Sequence, residues 1–249
     1  MKILVALKQV PDTETKVKVA ADGKSLDPTD VKWITSPYDE YALEEAIRLK
    51  ESAQAEVTVI SLGDEKAKDV LRNALALGAD NAILLKGESG ADAFAAASAL
   101  AAYAKDKGFD LILAGNKGMG GDNGAVGSML AELLGWAQAY VVVKLERSGS
   151  AFKAEREIEG GAEVVEGNLP AVVTAQKGLN EPRYASLKGI MAAKKKTIEE
   201  VEAAGQPAAS GWSSLALPPT RPEGRKLEGD AATQARTLLA LLKDEAKVL

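Results

Sequence analysis

Residues 109–115, FDLILAG, set Leu111, Ile112 and Leu113 in a row, the pattern of a strand buried on both faces rather than one. The chain then passes Gly115, Gly118, Gly120, Gly121 and Gly124 before a helical pattern resumes at residues 126–134. A buried strand, a glycine-rich turn and a helix start leave free backbone N–H groups where an anion can sit. Without Cβ atoms a phosphate can approach such a backbone closely. Asp122 and Asn123 suit either a cap on the new helix or a ribose hydroxyl. No Walker lysine follows, and the spacing is not G-x-G-x-x-G. The plain alternative is a surface loop at the end of a strand. Its place after a late strand of an alternating chain favours a nucleotide.

Aliphatic runs of the same kind come earlier, at residues 2–7 (KILVAL), 57–62 (VTVISL) and 82–85 (AILL). Between them lie helical periods. Ser36 suits an N-cap, Pro37 a first helical position, and Asp39 completes a capping box. Leu43, Ala46 and Ile47 continue that helix, with Glu44, Glu45 and Arg48 on its wet side. Val70, Leu71, Ala74 and Leu75 mark a second helix that stops at Gly78, and residues 91–107 an alanine-rich third that ends at Gly108. Strand and helix in alternation predict an α/β fold, a doubly wound parallel sheet of Rossmann-like type. Residues 8–30 carry Pro11, Asp22-Gly23, Asp27-Pro28 and a K-V-K-V alternation at 16–19, which predicts a small hairpin excursion.

After residue 134 the texture changes. Residues 139–146, 151–158 and 162–167 predict an antiparallel extension turning at Ser148-Gly149 and Gly160-Gly161. Residues 169–174 predict a last inner strand, with Pro170 confined to its start. Residues 176–196 show no apolar period, and Lys194, Lys195 and Lys196 read as a solvated face. Pro207, Pro218, Pro219 and Pro222 among Gly, Ser and Ala predict an extended arm. A helix with Ala235, Leu238, Leu239 and Leu242 on one stripe closes the chain. The expected division is a nucleotide-binding domain at 1–196, and an arm plus helix at 197–249 that packs on another chain.

Chemistry is bounded by what is missing. The 249 residues include no cysteine and no histidine, which excludes thiol catalysis, disulfides, Ser-His-Asp triads and His- or Cys-based metal sites. A net charge of −5 argues against bulk nucleic-acid binding. No apolar run is long enough for a membrane insertion, and no signal peptide is expected because Lys8 and acidic residues follow too soon. The expected location is the cytoplasm. Any catalysis would need carboxylates, lysines or a borrowed cofactor.

The blocks KILVALKQVPDT, SPYDEYALEEAIRLKE and EREIEGGAEVVEGNLPAVVTAQKGLNEPRYASLKGIM together resemble one family, the beta subunit of electron transfer flavoprotein. The resemblance spans residues 1–196, with a weaker tail. It implies an electron carrier subunit without catalytic or metal-binding residues of its own. The partner is an alpha subunit that holds a redox-active FAD, shared at the interface, while the beta subunit keeps a structural AMP. Carried over by motif, the AMP site falls on Ala6, Ser36, Pro37, Tyr38, Asp39, Leu62, Gly115, Gly118, Gly121, Asp122, Asn123, Gly124, Ala125 and Val126. Tyr38 matches an aromatic position near the flavin. Tyr184, Leu187, Ile190 and Met191 match the loop that docks flavin dehydrogenases such as acyl-CoA dehydrogenase, with Leu187 as its protruding anchor. The family's Gln-Thr pair in the phosphate loop is Ala125-Val126 here. Electron-bifurcating members carry a second FAD at this site, so AMP and FAD both stay open.

Each position also has a plainer reading. Ala6 is small enough to serve helix–sheet packing alone, and Ser36 and Asp39 explain themselves as caps. Arg183 clamps either its own loop or a cofactor phosphate. Leu187 has no periodic partners and little core to join. Rival functions are a stand-alone nucleotide-dependent enzyme, for which residues 6–12 lack a glycine, and a stress-type nucleotide-binding module.

Overall fold

A computed structural model describes residues 1–88, 90, 92–221 and 223–249. The elements run β1 (Lys2–Ala6), β2 (Gln9–Pro11), β3 (Trp33–Thr35), α1 (Pro37–Ala53), β4 (Glu56–Gly63), α2 (Lys68–Leu77), β5 (Asn81–Lys86), α3 (Ala93–Ala104), β6 (Leu111–Gly115) and α4 (Val126–Leu134). They continue with β7 (Ala137–Ser148), β8 (Ala151–Ile158), β9 (Gly161–Asn168), β10 (Ala171–Ala175), α5 (Leu187–Ala193), β11 (Glu199–Glu202) and α6 (Ala231–Ala240).

The main sheet has the order β11-β5-β4-β1-β6-β10-β7-β8-β9. Pairing is parallel from β11 to β7 and antiparallel for β7–β8 and β8–β9. This is the doubly wound sheet with an antiparallel extension that the aliphatic runs predict. Its two faces are filled by alternation along each strand. Ile3, Val5, Leu111 and Leu113 share a core with Leu43 and Ile47 of α1 and Leu71 of α2. Leu4, Ile112 and Val172 face the other way, with Leu100 of α3 and Leu130 of α4.

Several local expectations are corrected. The 8–30 excursion is closed by β2 pairing antiparallel with β3, and the alternation at 16–19 contributes only an isolated bridge from Val19 to Leu26. The segment without apolar period contains α5, whose N-cap Ser186 accepts from the Gly189 N–H at 3.0 Å. Residues expected in the arm add β11 beside β5. Glu44 and Glu45 are buried rather than wet. Of the alanine-rich helix, Ala91 lies outside the described residues, and so does Pro222 of the arm. The helix begins at Ala93, with the Asp92 carboxylate accepting from the Ala95 N–H at 2.8 Å.

The chain divides into two compact units, Met1–Ser214 and Leu215–Leu249. In the second, Asp230 caps α6 through the Thr233 N–H at 2.7 Å, and Arg225 forks onto Glu245 at 2.6 and 2.8 Å. No α6 residue is buried, so the stripe carrying Leu238 and Leu239 stays exposed. Among the described residues no helix is long and apolar enough to cross a membrane, and no group of acidic residues is placed to hold a metal ion.

Candidate functional site

β1 and β6 are neighbours in the sheet, yet the chain leaves β1 through α1 on one face and β6 through α4 on the other. Neighbouring parallel strands whose connections depart to opposite faces leave a crevice at their carboxyl ends, the topological switch point. A cleft lies there. Ala6, Ile60 and Leu62 line it from the strand ends, Ala93, Ala96 and Leu100 from α3, and Gly115 to Gly127 in part from the glycine loop and α4.

Asp39 ties the two sides of the switch point together. Its carboxylate accepts the Lys8 N–H at 2.7 Å and the Gly115 N–H at 2.8 Å, at the carboxyl ends of β1 and β6. Burial pushes the Asp39 carboxyl up to about 7, against the pull of those two N–H groups and the Lys8 charge. The expected capping box does not form. Ser36 stands at the N-cap position without a side-chain cap bond, and its hydroxyl instead accepts from the Met119 N–H of the glycine loop at 3.5 Å. Gly115 has to be glycine: a Cβ there would collide with the Asp39 carboxylate and come within 2.7 Å of the Tyr38 Cβ.

Close approaches shape the glycine loop at Gly118 and Gly124, while Gly120 supplies a φ of +86 with open space about it. A Cβ on Gly118 would lie 2.8 Å from Lys8 Cδ, and one on Gly124, at φ +57, would lie 2.5 Å from the Tyr140 hydroxyl. Lys117 pairs with Asp122 at 3.1 Å and sits 5.6 Å from the centre of the Tyr38 ring. The hydrogen bond that the ammonium donates to Asp122, then electrostatic attraction to Tyr38 and Asp122, hold it above its usual range. Neither Asp122 nor Asn123 caps α4. The N-cap is Ala125, which offers no side-chain acceptor, so no side chain from that position takes up the first-turn N–H groups.

Of the residues expected to hold a nucleotide, Ala6, Asp39, Leu62, Gly115, Gly118, Asn123, Gly124, Ala125 and Val126 converge on this cleft. Ser36, Pro37, Tyr38, Gly121 and Asp122 stand outside its lining. Asn116 and Lys117, inside the expected loop, line it too, and Leu7, Lys8, Ile60, Ala93, Ala96, Leu100, Ala114 and Gly127 line it without having been expected. Asn116 belongs to a side-chain chain, donating to Gln176 at 3.0 Å, which donates to Glu157 at 3.0 Å. The cleft therefore offers an apolar floor at one part and N–H groups with two lysines at another.

A second constellation sits along α1. Arg183 donates to Glu44 through Nε at 2.9 Å and Nη2 at 3.0 Å, and to Glu51 at 2.5 and 3.0 Å. Asn180 donates to the Tyr41 carbonyl at 3.0 Å and to Glu45 at 2.9 Å. Arg183 thus clamps its own segment, not a phosphate. Burial raises the Glu44 carboxyl, but the Arg183 and Arg48 hydrogen bonds outweigh it and hold the group below its usual range. Glu45, with burial dominant, is held above it. At the far end Arg72 donates to the Ala193 and Lys196 carbonyls at 2.6 and 2.5 Å, and Lys196 to Ala79 at 2.6 Å. Lys196 is therefore engaged rather than solvated. Gly189 passes so close to the Ala76 carbonyl that no Cβ fits. On this fixed frame Tyr184 is 98% exposed, Leu187 83%, Met191 62% and Ile190 40%. Large apolar side chains exposed this close together in sequence are more than the scattered single ones of an ordinary surface.

Residues 25–205 match the electron transfer flavoprotein domain. The chain is 43% identical over 260 residues to the electron transfer flavoprotein subunit beta of Bacillus subtilis, covering 100% of both chains. It is 43% identical over 250 residues to that of Bradyrhizobium diazoefficiens, again covering 100% of both. With that of Mus musculus it shares 38% over 258 residues, 100% of this chain and 99% of the other.

Proposed function

This chain belongs to the electron transfer flavoprotein family, as a beta subunit, and from that premise we propose how its residues serve electron transfer. The cleft at the switch point holds a structural AMP. Ala6, Leu62, Ala93 and Ala96 take its base, and the glycine loop with the start of α4 takes its phosphate. The observation that supports this reading is the cleft itself: an apolar floor beside a helix start that its N-cap residue leaves without a side-chain cap, where two parallel strands part.

Electron transfer belongs to an FAD held mainly by an alpha subunit, and the flavin supplies that chemistry when bound. This chain binds, positions and docks. It has no histidine or cysteine to contribute, which fits a subunit that performs no bond-making step. Tyr184, Leu187, Ile190 and Met191, exposed on the clamped segment, meet a flavin dehydrogenase so that its cofactor nears the FAD.

Nucleotides released by denaturing the purified heterodimer, identified by mass, test the first half. One AMP and one FAD per heterodimer is the expected result. Two FAD would assign the cleft to a second flavin, and FAD alone in single copy would refute the AMP site. For the second half, Leu187→Ala slows electron transfer from the dehydrogenase and leaves FAD content unchanged. A loss of FAD in that variant would contradict the docking role.

A further inference from the structure

Lys8 and Lys117 both line the cleft, but only Lys117 is engaged, by Asp122 and the Tyr38 ring. No carboxylate lies within ion-pair distance of the Lys8 ammonium among the described residues. Its backbone is pinned on both sides, the N–H donating to Asp39 at 2.7 Å and the carbonyl accepting from the Ser36 N–H at 2.9 Å. The side chain is therefore launched in one direction, across the glycine loop. Gly118 leaves room for its stem, since a Cβ there would stand 2.8 Å from Cδ and 3.1 Å from Nζ, and a Cβ on Gly121 would stand 3.7 Å from Nζ. The ammonium thus rests against the loop at Gly118 and Gly121, and Lys8 shares the cleft lining with Val126 and Gly127 at the start of α4.

Asp39 is the acidic group facing Lys8 from α1, and its two oxygens are already taken by the Lys8 and Gly115 N–H groups. It is buried and held up to about 7, so it offers the ammonium only part of a charge at neutral pH. An unpaired cation laid across a glycine loop, in a cleft that a helix start without a side-chain cap also lines, is an arrangement that receives an anion.

We propose that Lys8 is the phosphate-holding residue of this cleft, and that it makes the site select a phosphorylated nucleotide over the corresponding nucleoside. Gly118 serves the lysine: its missing side chain is the channel for the Lys8 stem. The inference rests on the reading of the cleft as a nucleotide site and adds which side chain reads the charge.

Calorimetric titration of nucleotide-depleted heterodimer with AMP and with adenosine tests it. Wild type binds AMP more tightly than adenosine. Lys8→Met keeps the stem and removes the charge, so AMP affinity falls about 10- to 100-fold, adenosine affinity holds, and the salt dependence of AMP binding flattens. Lys8→Arg restores part of the preference. Gly118→Ala displaces the lysine without removing it and lowers AMP affinity in the same sense, which covers the case in which Lys8→Met folds poorly. AMP affinity within twofold of wild type in both Lys8→Met and Gly118→Ala would overturn the role of Lys8. A wild type that binds neither ligand would overturn the nucleotide reading itself, a distinct outcome.

Discussion

Replacing Arg183 by Met asks whether the exposed segment is rigid because α1 holds it. The guanidinium meets Glu44, whose side chain is 4% exposed, while its own is 35% exposed. Breaking a fully buried pair costs about 3–5 kcal/mol and an exposed one about 0–1. The Glu44 pair lies between, because Glu44 keeps Arg48 at 2.9 Å after the change. About 2 kcal/mol is the expected loss from Glu44, and less than about 1 from Glu51, 58% exposed. Two kcal/mol is roughly a thirtyfold shift in a local opening equilibrium. Amide hydrogen exchange across residues 180–193 should therefore quicken by about that factor in Arg183→Met, with the amides of β1 and β6 unchanged. The pH dependence has a fixed sign. The folded Glu44 carboxyl is held below its ordinary 4.5, so its contribution is present above 4.5 and lost as pH falls through the folded value. The gap between wild type and variant is largest at neutral pH and closes in acid. Unchanged exchange over 180–193 would refute the clamp and leave the packing of α5 on α2 as the source of rigidity. A gap that does not shrink as pH falls from neutrality into acid would refute the role of Glu44.

Asp39→Asn should lower the thermal midpoint at all pH values, since an amide cannot accept both N–H groups. The gap narrows as pH rises from about 4 to 7, because a carboxyl raised to about 7 makes the wild type lose stability over that window; a constant gap would contradict the assignment. Gly115→Ala forces α1 away from β6, and overpacking of that kind costs about 1–3 kcal/mol. Denaturant midpoints and AMP content measured together should both fall, and a fall in neither would show that the helix start yields freely. Limited proteolysis of the isolated chain should cut between residues 206 and 249, and the heterodimer should resist. Equal resistance in both would remove the arm from the subunit interface.

The sheet was legible because its information is local. A parallel strand covered on both faces must be aliphatic throughout, and residues 57–62 and 111–114 satisfy that without reference to anything distant. The doubly wound class followed from the alternation of such runs with helical periods, and the glycine loop from its composition. Part of the cleft lining did not follow. Lys8 reads as an exposed residue after a strand, and nothing in its neighbours announces that Gly118 will open a path for it from a hundred residues away. Ala93 and Ala96 look like generic helix formers, and only the approach of α3 to β1 and β4 makes them a floor.

The misread residues share a cause. Ser36 and Asp39 satisfy the capping-box spacing, yet the strand-end donors at Lys8 and Gly115 outbid the helix's own N–H groups for the Asp39 carboxylate. Those donors sit where strands end and no neighbour supplies a carbonyl, so leaving them bare inside the fold would cost more than leaving a helix start to other partners. Glu44 and Glu45 fall on the side of α1 away from the sheet, which periodicity assigns to water. Helical period sees the layer beneath a helix and is blind to a segment that returns over it. Residues 180–183 do return, and they arrive carrying a guanidinium and an amide, the two groups suited to meet carboxylates already in place. Two acidic residues side by side on a helix that later folds under Asn and Arg are therefore better read as an anchorage for that segment than as a solvated face. In this chain that anchorage holds the segment that leads into the exposed Tyr184, Leu187, Ile190 and Met191.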